Sequence, residues 1–319
     1  MFENIYFLDV EKADEPKIKK AFPQARIFNK KISPREIVKK CYDAEILCVF
    51  IHTQLNKYVI EKLPNLKLIV TRSVGYDHID LVAAQKKGVK VCNVPDYGSH
   101  VIAEHVFALL LSGLRHIGEG DERVEEKGIF SFAGLRGVSL KGKTLGIVGV
   151  GKIGSNVARI ASLGFLMNVL AYDPHPDRNL ALENHFQYVR LKTLWKKSDI
   201  ITLHCPLLPS TRHLVNQKTI SLMKKGVVIV NTSRGKVIDT KSLIKGLKTK
   251  KISFAFLDVL EHEDNIKKHK KLISMPNVIV TPHIAFYADD SMQTMYSKAL
   301  ESIYEFLNGQ PLKNQILGT

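Results

Sequence analysis

Two kinds of hydrophobic pattern alternate along this chain. One is a short, mostly apolar run, found at Ile5–Leu8, 46–51, 66–71 and 89–93, and again at 144–148, Asn168–Tyr172, 199–203, Val227–Asn231, 253–257 and 278–281. The other is a longer stretch with apolar residues three and four apart, as at 34–41, 81–87 and Asp289–Leu307. Mostly apolar runs of this length predict strands buried on both faces, which is the signature of parallel sheets covered by helices. The longest helical pattern in the first half covers 99–117, with Ser99 as its expected cap and Val101, Ile102, His105, Val106, Leu109, Leu110 and Leu114 on one face. A charged, glycine-punctuated stretch follows to Gly142, but it carries Phe130, Phe132 and Leu135 and so reads as a domain connection or a subunit interface. The pattern predicts an α/β protein made of two doubly wound parallel-sheet domains of the Rossmann or flavodoxin-like kind.

The stretch beginning at Thr144 sharpens this picture. A short strand leads into Gly149-Val-Gly151-Lys152-Ile153-Gly154, a helical pattern follows, and the next strand ends on Asp173, 19 residues after Gly154. That order is the fingerprint of a dinucleotide site. Gly149 permits the tight turn, Gly151 lets backbone approach a pyrophosphate, and Gly154 lets the helix pack closely on the strand. The helix N-terminus offers amides to the phosphates, and Asp173 is placed to accept from the ribose hydroxyls and to repel a 2′-phosphate. NAD is therefore expected in preference to NADP.

Composition narrows the alternatives. A chain of 319 residues exceeds what one core usually serves, and 45% hydrophobic residues suffice for two. No apolar run approaches a membrane span, and the first residues read as a strand, so the protein is expected to be cytoplasmic. Cys41, Cys48, Cys92 and Cys205 show neither paired nor metal-ligand spacing and are expected as reduced, buried thiols, with no metal site. The net charge of +16 raises nucleic acid as a partner. The lysines fall in scattered pairs without interleaved aromatics, however, and solvated lysine faces are the simpler reading.

Polar residues stand at successive strand ends, which puts them on one rim of a parallel sheet. Arg234 offers a fixed fork of donors for a carboxylate or carbonyl, His283 a proton donor suited to neutral pH, and Glu263 a carboxylate able to fix an imidazole tautomer. Individually each is equally readable as an ordinary loop residue. Gly75, in the loop after the 66–71 strand, is where ligands meet backbone amides, or simply a turn.

Seven stretches resemble the D-isomer-specific 2-hydroxyacid dehydrogenases, in that family's order and over nearly the whole chain: 72–80, 93–97, 103–108, Gly149 to Gly154, 231–235, 258–263 and 281–285. The resemblance implies that Arg234, Glu263 and His283 are the catalytic residues and that Val74 and Gly75 offer amides to the substrate carboxylate. It places cofactor contacts on Lys152, Ile153, Asp173, Cys205, Pro206, Thr211, Thr232, Ser233 and Asp258. Residues 1–99 and 284–319 would form the substrate domain, with an NAD domain, 100–283, inserted. Tyr97 and Phe286 resemble the D-lactate dehydrogenase branch and imply a small apolar substrate pocket. The expected reaction is reduction of pyruvate by NADH to D-lactate, in a homodimer formed through the 99–142 region. A glyoxylate or hydroxypyruvate reductase, or a non-enzymatic NAD(H)-sensing protein like the family's corepressors, are the alternatives.

Overall fold

In the computed structural model, which describes residues 4–316, the chain divides into two compact units. One contains the residues up to Tyr97 together with those from Ala288 onward, and the other is Gly98–Tyr287.

The first unit is built on five parallel strands, β1 (Ile5–Leu8), β2 (Arg26–Phe28), β3 (Ile46–Val49), β4 (Leu68–Thr71) and β5 (Lys90–Cys92). They lie in the order β2-β1-β3-β4-β5. Every residue of β1, β3 and β4 is buried, in keeping with their mostly apolar sequences. The Asp289–Leu307 helix returns to this unit, burying Met295, Tyr296, Ala299 and Ile303, while Lys298 donates to Pro95 O at 3.0 Å.

The second unit has seven parallel strands, β6 (Thr144–Val148), β7 (Asn168–Tyr172), β8 (Gln187–Tyr188), β9 (Ile200–Leu203), β10 (Val227–Asn231), β11 (Ile252–Leu257) and β12 (Val278–Val280). The order is β12-β11-β10-β9-β6-β7-β8. The chain winds outward from β6 through β7 to β8, then restarts at β9 on the other side of β6. The ends of β6 and β9 therefore flank the point where the winding reverses, the usual ligand crevice of such sheets. Two apolar clusters cover the faces: one around Phe107, Leu110, Ile147 and Phe256, the other around Trp195, Ile201, Ile229 and Leu257.

Three features depart from the sequence reading. The long helix runs only from Ser99 to Leu114, and Gly98 rather than Ser99 is its N-cap, with no side-chain cap bond. His116 adopts a left-handed conformation (φ 54°) that breaks the helix axis, and a second helix, Ile117–Glu125, opens the stretch read as a domain connection or subunit interface. Strands β2 and β8, at sheet edges and without a buried residue, lack apolar runs. No single helix among the described residues is long and apolar enough to cross a membrane.

Candidate functional site

The glycine turn after β6 shows why three glycines are needed. Gly149 has φ +93°, and a Cβ there would lie 2.7 Å from Cys205 N. The turn is thus packed against the loop that leaves β9. A Cβ on Gly154 would fall 2.2 Å from Gly149 O, so the Lys152–Arg159 helix starts directly against the turn. A Cβ on Gly151 would meet nothing within 4 Å. The tight positions are closed by the protein's own backbone, and the open one faces free space at the start of the helix. Lys152 is exposed there, while Ile153 packs on the core. Asp173, just past β7, accepts from Val150 N (2.8 Å) and His175 N (2.9 Å). Both oxygens keep lone pairs for further donors such as ribose hydroxyls.

The neighbouring loops are equally well tied down. Thr211 Oγ1 donates to Pro206 O at 2.6 Å and accepts from Leu208 N at 2.8 Å, closing the loop after β9. Burial, reinforced by the charge of Asp173, pushes the Cys205 thiol up to about 11, so it stays protonated. After β10, Asn231 Oδ1 accepts from Ser233 N and Oγ, and Asn231 Nδ2 donates to Arg234 O at 3.0 Å. Thr232 is buried and its hydroxyl has no partner within the described residues, a group that a bound molecule would satisfy. The open face at Gly151, the orphaned Thr232 hydroxyl and the carboxylate of Asp173 fit a dinucleotide.

Farther along the rim, Arg234 Nη1 donates to Ser233 O at 2.8 Å. A Cβ on the following Gly235 would lie 1.9 Å from Leu260 C, so the Arg234 loop is pressed against the loop that carries Glu263. Glu263 Oε1 accepts from Leu260 N (3.3 Å) and Oε2 stands 3.1 Å from His283 Nδ1. Burial works to raise the Glu263 carboxyl. The hydrogen bond and charge of His283, the Leu260 amide and the charge of Arg234 outweigh it and leave the group below its ordinary value. His283 is itself left-handed, at φ 57°. The buried Phe286 ring meets the imidazole edge to face, with centroids 6.2 Å apart.

Asp258 directly follows β11 and is buried. Its carboxylate accepts from Thr281 Oγ1 (2.6 Å), Ile284 N (2.9 Å) and Ala285 N (2.9 Å), and its carbonyl from His283 N (2.9 Å). The segment after β12 is thereby wrapped around one acid. His105 and Thr281, which sequence reasoning did not single out as site residues, belong to the same network. His213, Asp239 and Glu261 also converge within 4.8 Å. Their atoms serve as structural ties: Glu261 accepts from His213 Nε2 (2.7 Å) and Thr240 N (2.9 Å), and Asp239 caps the Thr240–Lys248 helix.

Arg234, Glu263, His283, Phe286, Asp258 and the glycine turn all lie in the Gly98–Tyr287 unit. Val74, Gly75 and Tyr97 belong to the other unit. There Asn93 Nδ2 donates to Val74 O (2.8 Å) and Ser73 Oγ to Gly75 O (2.6 Å), fixing an exposed loop, and Tyr97 is buried.

Residues 107–285 match the sequence profile of the D-isomer specific 2-hydroxyacid dehydrogenase, NAD binding domain. A 2-hydroxyacid dehydrogenase homolog of Zymomonas mobilis is 39% identical over 297 residues, covering 89% of each chain. The hydroxypyruvate reductase of Thermotoga maritima is 38% identical over 288 residues, covering 89% of this chain and 92% of its own. Among solved structures, D-lactate dehydrogenase from Aquifex aeolicus complexed with NAD and lactic acid superposes with a TM-score of 0.89 at 36% identity. That match covers 99% of this chain and 100% of the other.

Proposed function

The chain belongs to the D-isomer-specific 2-hydroxyacid dehydrogenase family, NAD-binding oxidoreductases, and from that premise we propose that it reduces pyruvate or a close neighbour to the D-2-hydroxy acid. The observation that carries the proposal is the grouping of Arg234, Glu263 and His283 on the rim that also holds the glycine turn.

When bound, NADH supplies the hydride that ends on the 2-carbon. Arg234, with planar donors in a fixed fork, binds the substrate carboxylate and polarises the carbonyl. His283 donates the proton from Nε2 to the carbonyl oxygen, as a general acid must when that oxygen gains charge. Glu263 accepts from Nδ1, which fixes the tautomer and ring orientation and stabilises the imidazolium. The depressed carboxyl of Glu263 keeps it ionised through neutral pH. Asp258, Thr232, Ser233, Cys205, Pro206, Thr211, Lys152, Ile153 and Asp173 are assigned to the cofactor. Val74 and Gly75 are assigned to the substrate carboxylate, and Tyr97 and Phe286 to its side chain. Asp173 at the ribose favours NADH over NADPH.

A hydroxypyruvate or glyoxylate reductase is the second reading, favoured by the 38% identity to the Thermotoga maritima hydroxypyruvate reductase. The bulky Phe286-Tyr287 pair beside His283 favours a methyl-bearing substrate over a hydroxymethyl one. The deciding experiment follows NADH absorbance with pyruvate, phenylpyruvate, 2-oxoisocaproate, glyoxylate and hydroxypyruvate, then repeats the best substrate with NADPH. Highest kcat/KM on pyruvate with NADH is expected. A preference for hydroxypyruvate moves the assignment to the second reading, and no turnover with intact NADH binding points to a sensing role. A cytoplasmic location and a homodimer formed through residues 99–142 complete the proposal.

A further inference from the structure

Asp258 is a fully buried carboxylate, and such a charge is tolerated only when it is paired or richly hydrogen-bonded. Two backbone amides and the Thr281 hydroxyl supply hydrogen bonds. A further group comes from a distant helix: His105, on Ser99–Leu114, places Nε2 3.2 Å from Thr281 Oγ1 and 3.6 Å from Asp258 Oδ1. The single Thr281 hydroxyl proton goes to Asp258, so the Thr281 oxygen accepts, and His105 Nε2 carries the proton. The donors therefore run one way, from His105 to Thr281 to Asp258. Burial, only partly offset by the charge of Asp258, holds His105 below its ordinary value, so a neutral imidazole with Nε2–H is the form present at neutral pH.

What this relay governs follows from the far side of Asp258. Its oxygens hold the amides of Ile284 and Ala285, its carbonyl holds the amide of His283, and Phe286 follows at once. His283 is in a left-handed conformation that an L-residue keeps only when its surroundings hold it there. We infer that His105 is a positioning residue of the hydride-transfer site: through Thr281 it fixes the Asp258 carboxylate, and so the backbone that aims His283. This inference rests on the dehydrogenase reading above and adds to it a residue of the Ser99–Leu114 helix.

The test uses the full-length protein with His105→Leu, His105→Gln, Thr281→Val and the double variant His105→Leu/Thr281→Val. Two readouts are needed: kcat and KM on the preferred 2-oxo acid, and amide hydrogen exchange over residues 281–287. Removing a group that orients a reacting side chain lowers rate by about 10- to 100-fold. His105→Leu is expected to lose that much kcat, with a smaller change in KM and faster exchange confined to 281–287. His105→Gln retains an N–H donor and is expected to stay within about threefold of the parent. The double variant is expected to be no worse than the poorer single, because both cut one relay. Wild-type kcat and exchange in His105→Leu, equal damage in the Gln and Leu variants, or multiplicative losses in the double would each overturn the inference. If His105→Leu does not fold, His105→Gln and Thr281→Val still decide, since the inference requires the Gln variant to keep activity and the Val variant to lose it. A parent protein inactive on every 2-oxo acid would sink the proposed reaction. The exchange data alone would then judge the relay.

Discussion

At the scale of single residues, Gly149 and Gly151 stand two positions apart and are constrained by different things. Gly149 combines φ +93° with backbone of Cys205 at 2.7 Å, so a methyl group there is strained by conformation and by contact. Gly149→Ala is expected to cost about 2 kcal/mol or more, the range for a non-glycine residue held in such a region. Gly151 has an ordinary negative φ and open space where the methyl would go. Gly151→Ala is expected to leave the thermal midpoint of the ligand-free protein nearly unchanged and to raise the NADH dissociation constant about tenfold, or about 1.4 kcal/mol. The pair is checked by thermal unfolding without cofactor and by NADH fluorescence titration. Unchanged NADH affinity in Gly151→Ala would remove the pyrophosphate from that face. The spacing of these glycines and of Asp173 was readable because backbone geometry dictates residue type there. Arg234, Glu263 and His283 carry no such local constraint. Read singly they are ordinary loop residues, and only resemblance to the family joined them before the geometry did. His105 and Thr281 were hidden for a related reason, since their hydrogen bond joins residues 176 positions apart.

At the scale of elements, legibility followed burial. Strands β1, β3, β4 and β10, buried along their whole length, announced themselves as apolar runs, whereas β2 and β8 at the sheet edges did not. The break at His116 leaves no mark in the sequence, because apolar spacing continues across it and the left-handed residue is not a glycine. Capping chemistry is more local, and the helix Pro34–Lys40 shows it. Ser33 Oγ accepts from Glu36 N, and Glu36 Oε2 accepts from Ser33 N at 2.9 Å, a reciprocal capping box. The Ser33 amide, with help from Lys40, holds the Glu36 carboxyl down at about 2, against an ordinary 4.5. A carboxyl depressed in the folded state adds stability that is fully present above its unfolded value and is lost as pH falls toward its folded one. The thermal midpoint of Glu36→Ala is therefore expected below that of the parent at pH 7, with the gap closing between pH 4.5 and 2. A gap that stays constant over that range would mean the charge of Glu36 contributes nothing.

At the scale of the whole molecule, the stretch 126–143 displays Phe130 and Phe132 at 95% and 92% exposure, with Ile117, Val124 and Ile129 also uncovered. These rings do not sit on a loose tether. Arg123 donates to Ser131 O (3.1 Å) and Ala133 O (2.7 Å), and Val138 N donates to Leu114 O (2.9 Å), so the arm is bonded to the helices before it. An ordered arm that presents two bare aromatic rings is the kind of apolar patch that marks a protein interface. Burying a phenylalanine side chain contributes about 1.5–3 kcal/mol, and in a symmetric pair each ring counts twice. The net charge of +16 per chain acts against self-association, and salt screens that repulsion without weakening apolar contact. A dimer formed through this arm should therefore sediment at twice the chain mass and tighten as salt is raised. Phe130→Ser/Phe132→Ser should sediment as a monomer at the same concentration and retain NADH binding, because the glycine turn is held by contacts with its own backbone and the Cys205 loop. A parent that is monomeric at all salt concentrations, or a dimer that the double substitution leaves intact, would rule the arm out as the contact. A dimer that loosens with salt would place ion pairs, not these rings, at its centre.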